Sequence, residues 1–170
     1  MIGQDISEKQ VRCVYLGIGS NLGNRLRNIE KAKFLLIQHK ICITKTSSYY
    51  ESPSWPNPNN PKFLNIVVKV STTLNPLELM KYCKNIEVKL GRKKNYKNAP
   101  RECDIDIIDY SGKTSKNQVI MPHPRMHQRN FVLLPLFELN REWFHPILKK
   151  QIKKLISLLP DRDIRSIKQI

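Results

Sequence analysis

A chain of 170 residues, 40% hydrophobic and 26% charged, is long enough for one domain with a real core and too short for two of ordinary size. Its 30 Lys and Arg against 14 Asp and Glu give a formal charge of +16, which admits nucleic acid, anionic lipid or polyphosphate as partners. No run approaches the roughly 18 apolar residues of a membrane helix, and the opening MIGQDISEKQ lacks the apolar core of a secretory signal.

Residues 1–10 therefore read as a polar leader and residues 11–170 as a single domain, soluble, cytoplasmic and monomeric, with no membrane contact. Lys outnumbers Arg by 20 to 10, and Ile and Asn are abundant, as an AT-rich coding sequence would give. The Arg positions thus say more about partners than the total charge does, because Arg is the better fork for phosphate. Cys13, Cys42, Cys83 and Cys103 are widely spaced with no CxxC pair, which reads as free thiols in a reducing compartment. His123 and His127 are four apart, but Pro124 between them breaks the helix that a metal-binding pair would need.

In chain order, Val11–Ile18 is an apolar strand ending in glycines, and residues 22–38 space Leu26, Ile29, Phe34 and Ile37 as a helix would. Residues 41–50 alternate as a second strand. ESPSWPNPNNP, residues 51–61, is a long exposed loop, and KFLNIVVKVST a third strand. A second helix follows, with Asn75 as N-cap, Pro76 in its first turn and Gly91 as terminator. RKKNYKNAP, residues 92–100, is a basic loop, and a fourth strand runs from Cys103. The order β-α-β-β-α-β predicts an α+β, ferredoxin-like sandwich: an antiparallel sheet with helices on one face. Beyond it come an irregular stretch to Arg129, a short apolar helix from Asn130 interrupted by Pro135, and a basic amphipathic helix from Pro146 that packs on the domain.

YLGIGSNLGN joins a strand to a helix but fits no dinucleotide fingerprint. With Gly17 and Gly19 as its first glycines, the third would fall at Leu22, and no P-loop string exists. A tight turn, with Ser20 or Asn21 capping the first helix, is the plainer reading. Asp104 and Asp106 are more pointed. In a strand they share a face, roughly 7 Å apart, with Ile105 and Ile107 on the other. Such carboxylates repel unless a divalent cation binds there, and Mg²⁺ favours carboxylate oxygens completed by water and substrate phosphates.

Cations crowd these acids: Arg92, Lys93, Lys94, Lys97 and Arg101 upstream, His123, Arg125 and Arg129 downstream. Two acids among many cations suit magnesium–polyphosphate chemistry, hence nucleotide phosphoryl transfer. Trp55, Phe63, Asn65 and Phe131 are candidates for a flat ligand, Phe63 and Asn65 sharing one strand face. A competing reading is a basic ferredoxin-like nucleic-acid-binding domain without catalysis. Neither KFLNIVVKV nor ECDIDIIDY carries the exposed aromatics of an RNP-type strand, and two Asp on that sheet would repel phosphate without metal.

KNAPRECDIDII resembles the signature of the 6-hydroxymethyl-7,8-dihydropterin pyrophosphokinase family of folate biosynthesis. YLGIGSNLGNR is similar to that family's opening strand and turn, SSYYESPSWPNPNNPKFLN to its pterin loop, and MPHPRMHQRNFVLLPL to its His-Pro-Arg region. The likeness runs in order from about Tyr15 to Leu136. It implies transfer of pyrophosphate from ATP to the pterin hydroxymethyl, releasing AMP, with ATP and two Mg²⁺ as co-substrate and cofactor and small molecules rather than nucleic acid as partners. It further implies that Asp104 and Asp106 hold the metal ions, and that Arg92 and Arg101 act on the phosphates. Glu87, His123, Arg129 and the backbone at Ile107 would join Arg101 around ATP. Phe63 and Phe131 would sandwich the pterin, Asn65 would read its edge, and the backbone at Ser52, Pro53 and Trp55 would add contacts. The chain departs from better-known members in having Tyr96 or Asn98 where some carry a covering Trp, and Lys84 where a Gln is frequent. Both long loops are expected to close over the substrates and exclude water.

Overall fold

A computed structural model describes residues 10–39, 41–93 and 98–170. Its centre is β1 (Arg12–Ser20), which pairs antiparallel with β4 (Phe63–Thr72) on one side and β5 (Asp104–Tyr110) on the other. Beyond β4 lie β2 (Cys42–Thr46) and β3 (Tyr50–Ser52), both antiparallel to it, and β6 (Lys168–Gln169) closes the edge on β3. The described fold is a mixed α/β arrangement on one antiparallel sheet.

Alternation along the strands divides the apolar residues between two cores. On one face Leu16, Ile18, Ile66, Val68, Ile105 and Ile107 pack on α1 (Arg25–Gln38) and α2 (Pro76–Lys89), through Ile29, Ala32, Leu36, Leu79, Cys83 and Ile86. On the other face Tyr15, Val67 and Ile108 meet the C-terminal elements: α3 (Asn130–Leu139), α4 (Ile152–Ile156) and the segment carrying Trp143. Each fully buried Leu or Ile contributes about 1.5–3 kcal/mol. The second core covers only part of its face, and the remaining part, towards the Ser20 end of β1, is where the site lies.

Local signals explain the helix starts. The Asn75 side chain accepts from Glu78 N at 2.9 Å while Glu78 Oε2 accepts from Asn75 N at 2.8 Å, a reciprocal cap for α2. For α1 the cap is Asn24, accepting from Arg27 N, and not Ser20 or Asn21. Gly23, at φ +64°, makes the turn before it. Of the expected apolar positions Ile29 is buried as expected, but Leu26, Phe34 and Ile37 are exposed, and Ala32 and Leu36 complete the buried stripe.

Three further expectations shift. The strand expected over residues 41–50 is divided, because Ser47 turns inward and its hydroxyl accepts from Val67 N. α3 continues through Pro135, which has no N–H to give to the Phe131 carbonyl. The amphipathic tail is not one helix but two short ones, α4 and α5 (Asp161–Ser166), parted at Pro160. The four cysteines are free, Cys83 and Cys103 buried, Cys13 half-buried and Cys42 exposed. Among the described residues no helix is long and apolar enough to cross a membrane.

A β-bulge corrects a further reading. Simple alternation puts Asp109 on the opposite face from Asp104 and Asp106. The register slips between Leu16↔Ile107 and Tyr15↔Asp109, so Ile108 is the extra residue and Asp109 returns to their face. It still takes no part in the site, because it is buried under Trp143, whose indole N–H donates to Oδ2 at 3.1 Å, and Gly112 N donates to Oδ1 at 3.0 Å. Burial pushes this carboxyl up, against those hydrogen bonds. Asp109→Ala leaves two donors without their acceptor. It should cost about 1–3 kcal/mol in urea unfolding while leaving the chemistry at Asp104 intact; a loss of activity without loss of stability would place Asp109 in the site after all.

Candidate active site

The site is floored by two glycines. One row across the sheet reads Tyr50, Asn65, Gly19 and Asp104, and the next places Gly17 beside Asp106. A Cβ on Gly19 would come within 2.9 Å of Asn65 Oδ1 and 3.3 Å of the Phe63 ring, and one on Gly17 within 3.2 Å of Ile108. The glycines are thus strand positions that clear room above the sheet, not a phosphate-cradling turn. Over them lies a cavity of about 800 Å³.

At one end stand the acids. Asp104 accepts from Arg92 on Oδ1 at 2.7 Å and from Arg101 on Oδ2 at 2.6 Å. Burial alone would raise this carboxyl; Arg101, by charge and hydrogen bond, with Lys84 and Arg92, holds it below its ordinary value. Behind it Glu87, 1% exposed, accepts from Arg92 at 2.5 Å, Lys84 at 2.8 Å and the edge-strand N–H of Ile105 at 2.7 Å. Burial wins at Glu87 and raises its pKa despite Lys84 and the Ile105 N–H.

Asp106 is more open. His123 Nε2 and Arg129 Nη1 face its Oδ2 at 3.8 and 3.7 Å. His123 Nδ1 accepts from Arg125 N at 3.2 Å, which leaves Nε2 to carry the proton. Burial, then Arg129 and Arg125, lower the His123 pKa against the pull of Asp106. Among the described residues Arg101 Nε and Arg129 Nε are buried without a hydrogen-bond partner, so both cations have capacity left for an anion.

At the other end is an aromatic cluster occupied by guanidinium groups. Arg101 lies over Phe63 at 5.3 Å, and Arg129 over Phe131 at 5.4 Å and Trp55 at 5.5 Å. Asn65 Nδ2 donates to Ser52 Oγ at 3.0 Å. Asn21, buried, binds the two halves together: Nδ2 donates to Ser54 Oγ and the Pro61 carbonyl, and Oδ1 accepts from Arg101 N at 2.8 Å.

Of the residues singled out in the sequence, Ser52, Trp55, Phe63, Asn65, Glu87, Arg92, Arg101, Asp104, Asp106, His123, Arg129 and Phe131 all line this one cavity. Pro53 and Ile107 do not; the Ile107 side chain is in the core on the far face, leaving only its backbone on offer. Tyr96, Lys94 and Lys97 lie outside the described residues. Sequence reasoning missed Asn21, the Lys84–Glu87 pair and the role of Gly17 and Gly19. Glycines two apart, alternating with Leu16 and Ile18, were the available signal for the last.

The chain matches the family model described as 7,8-dihydro-6-hydroxymethylpterin-pyrophosphokinase (HPPK) over residues 15–141. It is 40% identical over 142 residues to a 2-amino-4-hydroxy-6-hydroxymethyldihydropteridine pyrophosphokinase of Aquifex aeolicus, covering 83% of this chain and 88% of that one. It is also 40% identical over 149 residues to the folic acid synthesis protein FOL1 of Dictyostelium discoideum, covering 87% of this chain but only 22% of that protein. Its fold resembles a crystal structure of Plasmodium falciparum HPPK-DHPS with pteroate, at a TM-score of 0.69 and 17% identity, over 87% of this chain and 42% of the other. The chain thus spans most of the Aquifex relative and less than half of the other two.

Because Asp104 is depressed, it contributes stability above the ordinary Asp range that is lost as pH falls through its folded value. Arg101→Ala removes the strongest of its cationic partners. The Asp104 carboxyl, followed by carbon NMR, should then titrate at higher pH than in the parent protein; an unmoved titration would show that Arg101 is not what holds it.

Proposed function

Because the chain belongs to the 7,8-dihydro-6-hydroxymethylpterin-pyrophosphokinase family, we propose that its cavity brings ATP and 6-hydroxymethyl-7,8-dihydropterin together for pyrophosphoryl transfer. The observation that carries this assignment to named residues is the cavity itself, with paired carboxylates and cations at one end and aromatic faces with an amide at the other. The strand order, with the second strand divided into β2 and β3, supports a ferredoxin-like reading of residues 11–170 as one domain.

Asp104 and Asp106 would hold Mg²⁺. The residues fit: two hard carboxylates share a face beside buried, partly unpaired guanidinium groups, and Mg²⁺ takes few protein ligands when phosphates and water complete its shell. Among the described residues no cluster of three or more His, Cys, Asp or Glu forms a closed metal cage. When bound, two such ions would neutralise the triphosphate and the oxygens entering and leaving phosphorus.

The protein's own groups supply positioning and charge. Phe63 and Phe131 would take the pterin between them once Arg101 and Arg129 turn to the phosphates. Asn65, whose Nδ2 is already held by Ser52, would present Oδ1 to the ring edge. Arg92, backed by Glu87, together with Arg101, Arg129 and the protonated Nε2 of His123, would face the developing charge. The pterin hydroxyl oxygen forms a bond to the β-phosphorus, the bond between that phosphorus and the α,β-bridging oxygen breaks, AMP leaves, and the hydroxyl proton passes to solvent. No general base is assigned; orientation and neutralisation carry the step. The two long loops would exclude water as a competing acceptor.

Mixing protein, ATP, Mg²⁺ and the hydroxymethylpterin should yield AMP rather than ADP or inorganic pyrophosphate. Asp104→Ala and Asp106→Ala should each lower kcat by about 10²-fold or more, and full activity in either would remove the metal assignment. Hydrogen exchange in the loop of residues 53–62 should slow when a nonhydrolysable ATP analogue and pterin are both present; an unchanged rate would count against closure.

A further inference from the structure

Trp55 projects from the long loop between β3 and β4 and is 48% exposed, yet two guanidinium groups lie over its ring. Arg125 stands 5.0 Å from the ring centroid and Arg129 5.5 Å. Their other contacts differ in kind. Arg129 also faces Asp106 at 3.7 Å and Phe131 at 5.4 Å, and among the described residues its buried Nε has no hydrogen-bond partner. It has a carboxylate to leave and capacity for an anion. Arg125 makes no ion pair among the described residues, and its backbone N–H donates to His123 Nδ1, which fixes the turn it sits on. The loop is pinned near its ends, where Asn21 holds Ser54 and the Pro61 carbonyl and Arg25 holds the Lys62 carbonyl. The cation stack at Trp55 joins it to the segment that carries His123 and Arg129.

We infer that Arg125 is a positioning residue that clasps Trp55 and keeps the acceptor-side loop in place while Arg129 turns to the phosphates. This rests on the pyrophosphokinase reading. An arriving polyanion draws on the cation that can exchange one anion for another, which is Arg129. Among the described residues Arg125 has no carboxylate to exchange, and it gains its stabilisation from the indole face, so it stays. The division of labour follows from position: the nucleotide would be met by β5, α2, His123 and Arg129, whereas the loop carrying Trp55 borders the aromatic end. Loosening the clasp therefore weakens the hold on the pterin and not the hold on ATP.

Steady-state kinetics with each substrate varied in turn test this. Arg125→Ala should raise the KM for the pterin about two- to fivefold, the worth of a half-exposed cation–π contact, with the KM for ATP and kcat within error. Trp55→Leu should do the same, the double variant should be no worse than either single one, and Arg125→Lys should recover part of the loss. A general folding defect would lower melting temperature and kcat together, and that result would overturn the inference. So would a rise in the KM for ATP alone, which would make Arg125 a phosphate ligand, or additive losses in the double variant. If the parent protein forms AMP and Arg125→Ala behaves as the parent does, the clasp alone falls. If the parent forms none, the reaction itself is misassigned and the clasp falls with it.

Discussion

Asp104 receives an arginine on each of its oxygens, Arg92 on one and Arg101 on the other, and the rest of the site is arranged around the consequences. Glu87 grips Arg92 from behind and ties helix α2 to the edge of β5 through the Ile105 N–H. Burying two carboxylates side by side would be costly without these partners, because their desolvation is recovered only through close, hydrogen-bonded pairing. Lys84, Arg92 and Arg101 against Glu87 and Asp104 leave one positive charge over. Arg125 and Arg129 against Asp106 leave another. The protein therefore folds with its acids satisfied and an excess of positive charge facing the cavity, which is the electrostatic condition for receiving a polyanion.

The sheet makes this possible by separating tasks between its faces. Residues of even number in β1, Leu16 and Ile18, build the core with α1 and α2, while Gly17 and Gly19 leave the opposite face bare. The C-terminal helices cover that second face only as far as Tyr15 and Ile108. The bulge at Ile108 marks the border: on one side β5 presents Asp104 and Asp106 to the cavity, on the other Asp109 to Trp143. One strand thus serves a wet site and a dry core without changing direction.

Much of this was legible in the sequence, and what was not has physical reasons. The alternation of DIDII fixed the shared face of Asp104 and Asp106, and the Asn75-Pro76 start of α2 announced its cap, whose reciprocal partner Glu78 the structure adds. Asp109 was misplaced because a bulge leaves no mark in a periodic pattern. The first helix was started early because Asn21 and Asn24 are equally good caps on paper, and only the fold commits Asn21 to the Arg101 backbone and the Pro61 carbonyl. The apolar pattern of residues 26–37 found Ile29 but otherwise misjudged the stripe, since Ala32 is buried and Phe34 is not. Glu87 was expected around ATP, but its ion pair with Lys84, three residues away on α2, and its burial come from tertiary packing that the sequence does not display.

The guanidinium groups resting on Phe63 and Phe131 have a calorimetric consequence. Aromatic slots that wait open for a flat ligand expose apolar faces to water, and filling them gives a large negative change in heat capacity. Here the faces are already covered by Arg101 and Arg129, at 5.3 and 5.4 Å. In the proposed pterin site, a heterocycle entering between the rings would exchange one planar stacking partner for another and free little ordered water. Its binding should therefore carry a heat-capacity change smaller than its buried area suggests.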